Sequence, residues 1–286
     1  MRTFFFAPES PRPLAALRIA LGLVLLYYAA VRWPYAIELY SSDGAPMPLF
    51  PGTWLEPPAL DARWTVVLHS VYVFALCGLV LGWRTRLSAA VALVFLLWFG
   101  LLDVSGTFKK YSVIAAHLLF LLAVSQCGAV WSIDRRLSPE RHDRCRLAAA
   151  WPRRLMQLFL CSVYLGAAYT KMRRADFASG DLPAFSLQSD LWGGTAWGLW
   201  LSTHPKWLVL AAAATVLFET LFPALVWVPR LRRAMLLLAA GFHLTLAATM
   251  HLGIFSPVML AGLLAFLIPL GGQQPVAPAR AECSPQ

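Results

Sequence analysis

Lys171 closes an apolar run that begins at residue 155 and otherwise reads as a membrane-spanning helix. An ammonium group at the edge of hydrocarbon must snorkel to water, find a partner or give up its proton. The last two outcomes are how lysines become bases. Three more ionisable groups fall inside apolar runs: Glu219, His243 and His117. Carboxylate, imidazole and amine around one polar cavity could move protons. Glu219 and His243 could equally pair with each other between neighbouring antiparallel helices. His117, with apolar neighbours in sequence, also reads as a packing histidine. Lys171 itself can be read as a snorkelling terminal residue, because Arg173 and Arg174 follow it directly. Against that, two adjacent cations favour a neutral amine.

The elements that must hold these groups follow from composition. The chain has 286 residues, 59% hydrophobic and 13% charged, where a soluble domain carries about 25% charged residues. The apolar residues come in long blocks rather than at amphipathic spacing, which implies membrane spans and leaves no room for a separate soluble domain. Eight spans are read at 13–31, 64–82, 87–102, 110–127, 154–172, 207–228, 234–250 and 253–270. The fold class is therefore all-α, a polytopic transmembrane helical bundle. The first run lacks a small-residue cleavage site and reads as a retained span. The net charge of +10 sits in short loops, as topology determinants do, and does not point to nucleic acid.

Fifteen Lys and Arg residues lie at the two termini and in the loops after spans two, four and six, against seven in the opposite loops. This bias places both termini in the cytoplasm. The outer side then holds the two long loops, about 33–63 and 173–206, rich in Trp, Pro and Gly. Their tryptophans read as interface anchors, or as the cap of an outward-facing pocket. On this topology Lys171 lies at the outer end of span five, with Asp103 at a similar depth. Glu219, His243 and His117 share a layer near mid-membrane, each of the first two about nine residues from the inner end of its run. The cysteines form no CxxC and no metal-type cluster, and read as free thiols. Gly78 and Gly82 have the spacing that lets helices approach closely. Residues 1–12 are expected as a cytoplasmic segment, 13–270 as the transmembrane domain and 271–286 as a flexible cytoplasmic tail.

Four segments, in order, resemble the HTTM domain, the membrane domain of the vitamin K-dependent gamma-carboxylase family and its bacterial relatives. They are Tyr40-Ser-Ser-Asp43-Gly44, Trp131-Ser132-Ile133-Asp134, Tyr164-Leu-Gly-Ala-Ala-Tyr-Thr-Lys171-Met172 with Phe177 and Gly180 after it, and Phe242-His243-Leu244 followed by Gly253-Ile-Phe-Ser-Pro-Val-Met-Leu-Ala261. The resemblance implies that Lys171 is the base that deprotonates a hydroquinone. It makes His243 a wall or hydrogen-bonding residue of the same outward-facing cavity. With the polar residues of the apolar runs added, the candidate catalytic groups are Lys171, His243 and Glu219, and the candidate cofactor-binding residues are Tyr111, Tyr164 and His117. The chain departs from the family pattern at three points: Tyr111 stands about where a catalytic histidine is expected, Phe177 replaces a tryptophan, and no large lumenal domain follows. The resemblance thus implies quinone or lipid binding more directly than glutamate carboxylation.

The expected function is that of a multi-pass cell-membrane protein of bacterial type, binding a quinone-like or lipid-soluble molecule at an acid–base site on Lys171. Its partners would be the bilayer, a quinone and a secreted peptide. The alternative is a non-catalytic membrane helper in maturation, export or immunity of a secreted peptide. Neither an inverted repeat nor paired broken helices point to a transporter.

Overall fold

The computed structural model describes residues 2–104, 111–139 and 147–267, which are mostly helical. Cys145, Cys283, the last residues of the run read at 253–270 and the tail 271–286 lie outside the described residues. In chain order the helices are α1 Arg2–Phe6, α2 Arg12–Arg32, α3 Ala36–Tyr40, α4 Ala62–Leu81, α5 Thr85–Leu102, α6 Tyr111–Ala123, α7 Ile133–Leu137, α8 Trp151–Met172, α9 Ala175–Ala178, α10 Asp181–Gln188, α11 Ala196–Ser202, α12 Pro205–Leu225, α13 Arg232–Thr249 and α14 Phe255–Leu263. Strands β1 Pro8–Glu9 and β2 Ala148–Ala149 pair antiparallel.

Four helical stretches are long and apolar enough to cross a membrane: Arg12–Tyr40, Ala62–Leu81, Thr85–Leu102 and Pro205–Leu225. The other four expected spans look different. Helices α6 and Phe255–Phe266 are apolar but short. Helices α8 and α13 are long, yet arginines at their starts, and further polar residues within them, dilute the apolar stretch.

The chain divides into two compact units. Unit one comprises Met1–Val104, Ala116–Arg154 and Leu264–Gln286; unit two comprises Ser105–Ala115 and Leu155–Leu263. In unit one, α2 buries the stripe Leu14, Leu17, Leu21 and Leu25, the spacing of one helix face. A Cβ on Gly22 would come within 2.8 Å of Val80 Cγ2, so α2 and α4 approach closely at that level. Gly78 does the same between α4 and α5, where a Cβ would lie 2.6 Å from Ser88 Oγ. Its expected companion Gly82 has another task. It ends α4 with φ +70°, a left-handed cap that a side chain would strain.

Two of the family-like segments are structural staples in this unit. Asp134 accepts hydrogen bonds from the Arg84 and Thr85 amides at 2.7 and 2.8 Å and from Thr85 Oγ1 at 2.6 Å. It thereby caps the start of α5 from fifty positions away. Ser132 Oγ caps α7, and the Trp131 carbonyl accepts from the buried Arg18 Nη2 at 2.6 Å. Asp43 acts likewise on α4, taking the Ala62 amide at 2.8 Å beside the local cap Asp61, which takes Trp64 at 2.9 Å. Replacing Asp134 with Ala is expected to cost about 1–2 kcal/mol and lower the melting temperature in detergent. An unchanged melting curve would show that the cap contributes nothing.

Unit one is further tied together by Arg153. The guanidinium pairs with Glu9 through both carboxylate oxygens and donates to the Ala265 carbonyl at 3.1 Å.

Candidate functional site

In unit two, Lys171, Glu219 and His243 take part in two hydrogen-bonded pairs. Lys171, in the last turn of α8, donates from Nζ to both oxygens of Glu219, at 2.6 and 2.7 Å. Tyr164 lies two turns earlier on α8, on the same face as Lys171. Its hydroxyl is 2.8 Å from His243 Nε2 on α13. The expected Glu219–His243 pair is therefore not formed; each takes a partner from α8 instead.

The depth expectation changes with it. Lys171 ends its helix, whereas Glu219 lies fourteen residues beyond Pro205 on α12, about 21 Å along the axis at 1.5 Å per residue. The ammonium nonetheless reaches Glu219. Ten residues earlier on α8, Cys161 Sγ lies 4.0 Å from the Pro223 carbonyl oxygen, so α8 and α12 run side by side in opposite directions, and beyond Met172 the chain turns through α9, α10 and α11 before α12 begins. Gly180, between α9 and α10, is held against the start of α12: a Cβ there would lie 3.1 Å from Leu208 Cβ.

Local sequence explains why Glu219 is a special position on α12. Pro223 stands one turn later inside the helix and has no amide hydrogen to offer the Glu219 carbonyl. Aromatic rings wall the carboxylate's neighbourhood. Tyr164 packs on Phe222 at 4.5 Å and on Phe218 at 5.7 Å between ring centroids. Phe218 meets Phe242 at 5.0 Å, and Phe255 of α14 reaches the His243 ring at 5.8 Å. Phe177, where the family pattern has tryptophan, places its ring 5.7 Å from Lys171 Nζ, at the range of a cation–π contact.

Accessibility separates the members. The Lys171 side chain is 26% exposed and that of Glu219 5%. Tyr164 and His243 are buried, and His243 Nδ1 has no hydrogen-bond partner among the described residues. Lys171 is thus the reachable member of the cluster, with a carboxylate behind it. The cations that follow Lys171 are engaged elsewhere: Arg173 donates to Tyr169 at 2.7 Å, and Arg174 pairs with Asp176 at 2.7 Å. The hydrogen bond from Arg174 holds the Asp176 carboxyl below its ordinary range.

The remaining expected residues are placed as follows. Tyr111 is buried in the first turn of α6, within unit two. His117 belongs to unit one and is exposed on α6 rather than buried as a packing or cavity histidine. Asp103 belongs to unit one as well, and pairs there with Arg32.

Sequence reasoning missed that second polar centre. Arg32 reaches Asp103 with Nη2, the Tyr28 hydroxyl with Nη1 and the Tyr40 hydroxyl with Nε, the last at 2.8 Å. His69 lies beside it among the rings of Trp33, Tyr40, Tyr72 and Phe99, at 5.2 to 6.1 Å. The signal was present. Tyr28 stands one turn before Arg32 on the same helix face, and an aspartate ends an apolar run.

Among the described residues no group of His, Cys, Asp and Glu is arranged to hold a metal ion, and Cys77, Cys127 and Cys161 are free thiols. No solved structure matches the chain. The family model of the HTTM domain matches residues 6–269. Together with four helices apolar enough to cross a bilayer, that match makes this an integral membrane protein of the HTTM-domain family, the domain found in the membrane region of the vitamin K-dependent gamma-carboxylase.

Proposed function

We propose that unit two carries an acid–base site for a quinone-like or other lipid-soluble molecule, in which Lys171 and Glu219 work as one proton-accepting pair. The observation that carries this reading is the ammonium held by both oxygens of a buried carboxylate, with only the lysine reachable from outside. In that arrangement Lys171 passes a proton along its hydrogen bond to a Glu219 oxygen, and the freed amine takes the ligand's proton, so the pair gains one proton and an ammonium again faces the resulting oxyanion. The donor set fits a hydroquinone: a charged pair at one end and aromatic rings, Phe177 among them, beside it. When bound, such a ligand supplies an acidic hydroxyl and a redox-active ring. Tyr164 and His243 hold α8 to α13 beneath the pair, and Tyr111 adds buried phenol surface in the same unit.

The rest of the reading concerns placement. The apolar runs support about eight spans in a multi-pass protein of a bacterial cell membrane, and the charge bias of the loops supports cytoplasmic termini and a site that opens outward. The family match over residues 6–269 supports one transmembrane domain over 13–270, preceded by a short segment.

One observation favours a second reading. The ion pair is complete without a ligand, as a purely structural pair would be. On that reading the chain is a non-catalytic helper in maturation, export or immunity of a secreted peptide. A thermal-shift titration with a short-chain hydroquinone distinguishes the two. Stabilisation by about 2.7 kcal/mol at a hundredfold excess over Kd, lost in the Lys171→Met/Glu219→Leu double variant, is the expected result. No shift in the unaltered protein would overturn the quinone reading and leave the helper.

A further inference from the structure

Helix α11 has one face it can bury and one it cannot. Its seven residues, Ala-Trp-Gly-Leu-Trp-Leu-Ser, carry no charge. Gly198 and Ser202, four apart, form the buried side. A Cβ on Gly198 would lie 2.2 Å from the Thr249 carbonyl oxygen and 3.2 Å from Leu187 Cδ2. The helix backbone is therefore pressed against the end of α13 and against α10. Thr195 caps it through the Gly198 amide at 3.0 Å. The preceding turn is latched by His251, whose amide donates to the Trp192 carbonyl at 2.7 Å and whose ring nitrogen lies 2.6 Å from the Gly193 carbonyl. This piece is well held, so the direction of its outer face is set.

That outer face shows Trp197 at 68% exposure, Trp200 at 53% and Leu199 at 44%. The face does not stop at the end of α11. The Trp200 ring packs on His204 at 4.5 Å, and Trp207 follows on the first turn of α12, also more than half exposed. Helix α12 is one of the four apolar enough to cross the membrane, so the tryptophan face continues directly onto a lipid-facing surface. Residues 191–205 contain no Asp, Glu, Lys or Arg. Tryptophan prefers the boundary between headgroups and acyl chains, where its ring is covered and its N–H stays wet.

We infer that α11 lies on the bilayer with Trp197, Leu199 and Trp200 sunk into the headgroup boundary, making the segment between α8 and α12 a membrane-surface anchor. The partner is the lipid surface itself. Since the face is uncharged, the anchoring is indifferent to lipid charge, unlike the usual basic interfacial helix. This inference is independent of the proposed acid–base function.

The test uses the full chain reconstituted in phosphatidylcholine vesicles. The chain has twelve tryptophans, so the quantity read is the fluorescence lost in a Trp197→Phe/Trp200→Phe variant. The expected component is blue-shifted, quenched by lipid brominated near the carbonyl, spared by aqueous iodide and unchanged when anionic lipid or salt is added. Quenching by iodide but not by bromolipid would place the face in water and overturn the inference. Protection from both quenchers would overturn it too, since a protein partner or a second copy would then cover the face. If the double variant fails to insert, the single Trp197→Phe difference gives the same reading.

Discussion

Lys171→Met is expected to destabilise the protein by about 3–5 kcal/mol, and adding Glu219→Leu is expected to recover most of that loss. The argument turns on an asymmetry within the pair. Glu219 is 5% exposed, so without its partner the carboxylate is a buried charge in apolar surroundings. Lys171 is 26% exposed on the last turn of α8 and has a four-carbon stem. If Glu219 alone is removed, the ammonium can swing toward water. Glu219→Gln should therefore cost clearly less than Lys171→Met. The double variant removes both charges, which often leaves stability unchanged or improved. Unfolding by a denaturing detergent, followed for all four proteins, reads the order directly. Equal stability of Lys171→Met and the parent would show that the carboxylate is not held as described. Loss of the hydroquinone response in the stable double variant would separate function from folding.

Arg32→Leu is the second large effect, again expected at about 3–5 kcal/mol. One guanidinium serves Asp103, Tyr28 and Tyr40, and thereby joins the ends of α2 and α5 to α3. Leucine removes the cation facing a carboxylate whose side chain is 7% exposed, together with the N–H groups that donate to the two tyrosine hydroxyls. Lysine is a poor substitute, because a single ammonium cannot reach three partners spread over the guanidinium's fork. Arg32→Lys should therefore recover less than half of the loss, while Asp103→Asn, which keeps a neutral acceptor, should be milder than Arg32→Leu. Melting in detergent checks the ranking. A fully stable Arg32→Lys protein would mean that the two tyrosine bonds are dispensable.

These two centres show what sequence can and cannot convey about such a chain. Lys171, Glu219 and His243 were legible because each interrupts an apolar run, where an ionisable group demands an explanation. Their pairing was not legible. Helical periodicity reports which face a residue occupies, but not how far one helix is shifted along its neighbour. Here Lys171, at the end of α8, meets Glu219 fourteen residues beyond Pro205 on α12, with three short helices between the two in sequence. Glu219 consequently met Lys171 rather than His243. Arg32 was hidden for the opposite reason. A cation at the end of a span is ordinarily a topology signal, and only the fold brings Asp103 and Tyr40 to it. The span count suffered from dilution: the arginines that begin α8 and α13 are the same residues that suggested the orientation.

The Arg153 tie has a consequence for how the chain must be made. Its guanidinium joins Glu9, 144 positions earlier, to the Ala265 carbonyl, 112 positions later. Unit one is thus written in pieces, with nearly all of unit two translated before its last piece exists. At roughly 5–20 residues per second, Arg153 and Glu9 wait about 6–22 seconds after Arg153 is made before the closing Ala265 carbonyl is synthesised. Throughout that interval unit one is an unfinished body already committed to the membrane. A ribosome that stalls within unit two would leave it open, a ready client for membrane chaperones and quality-control proteases.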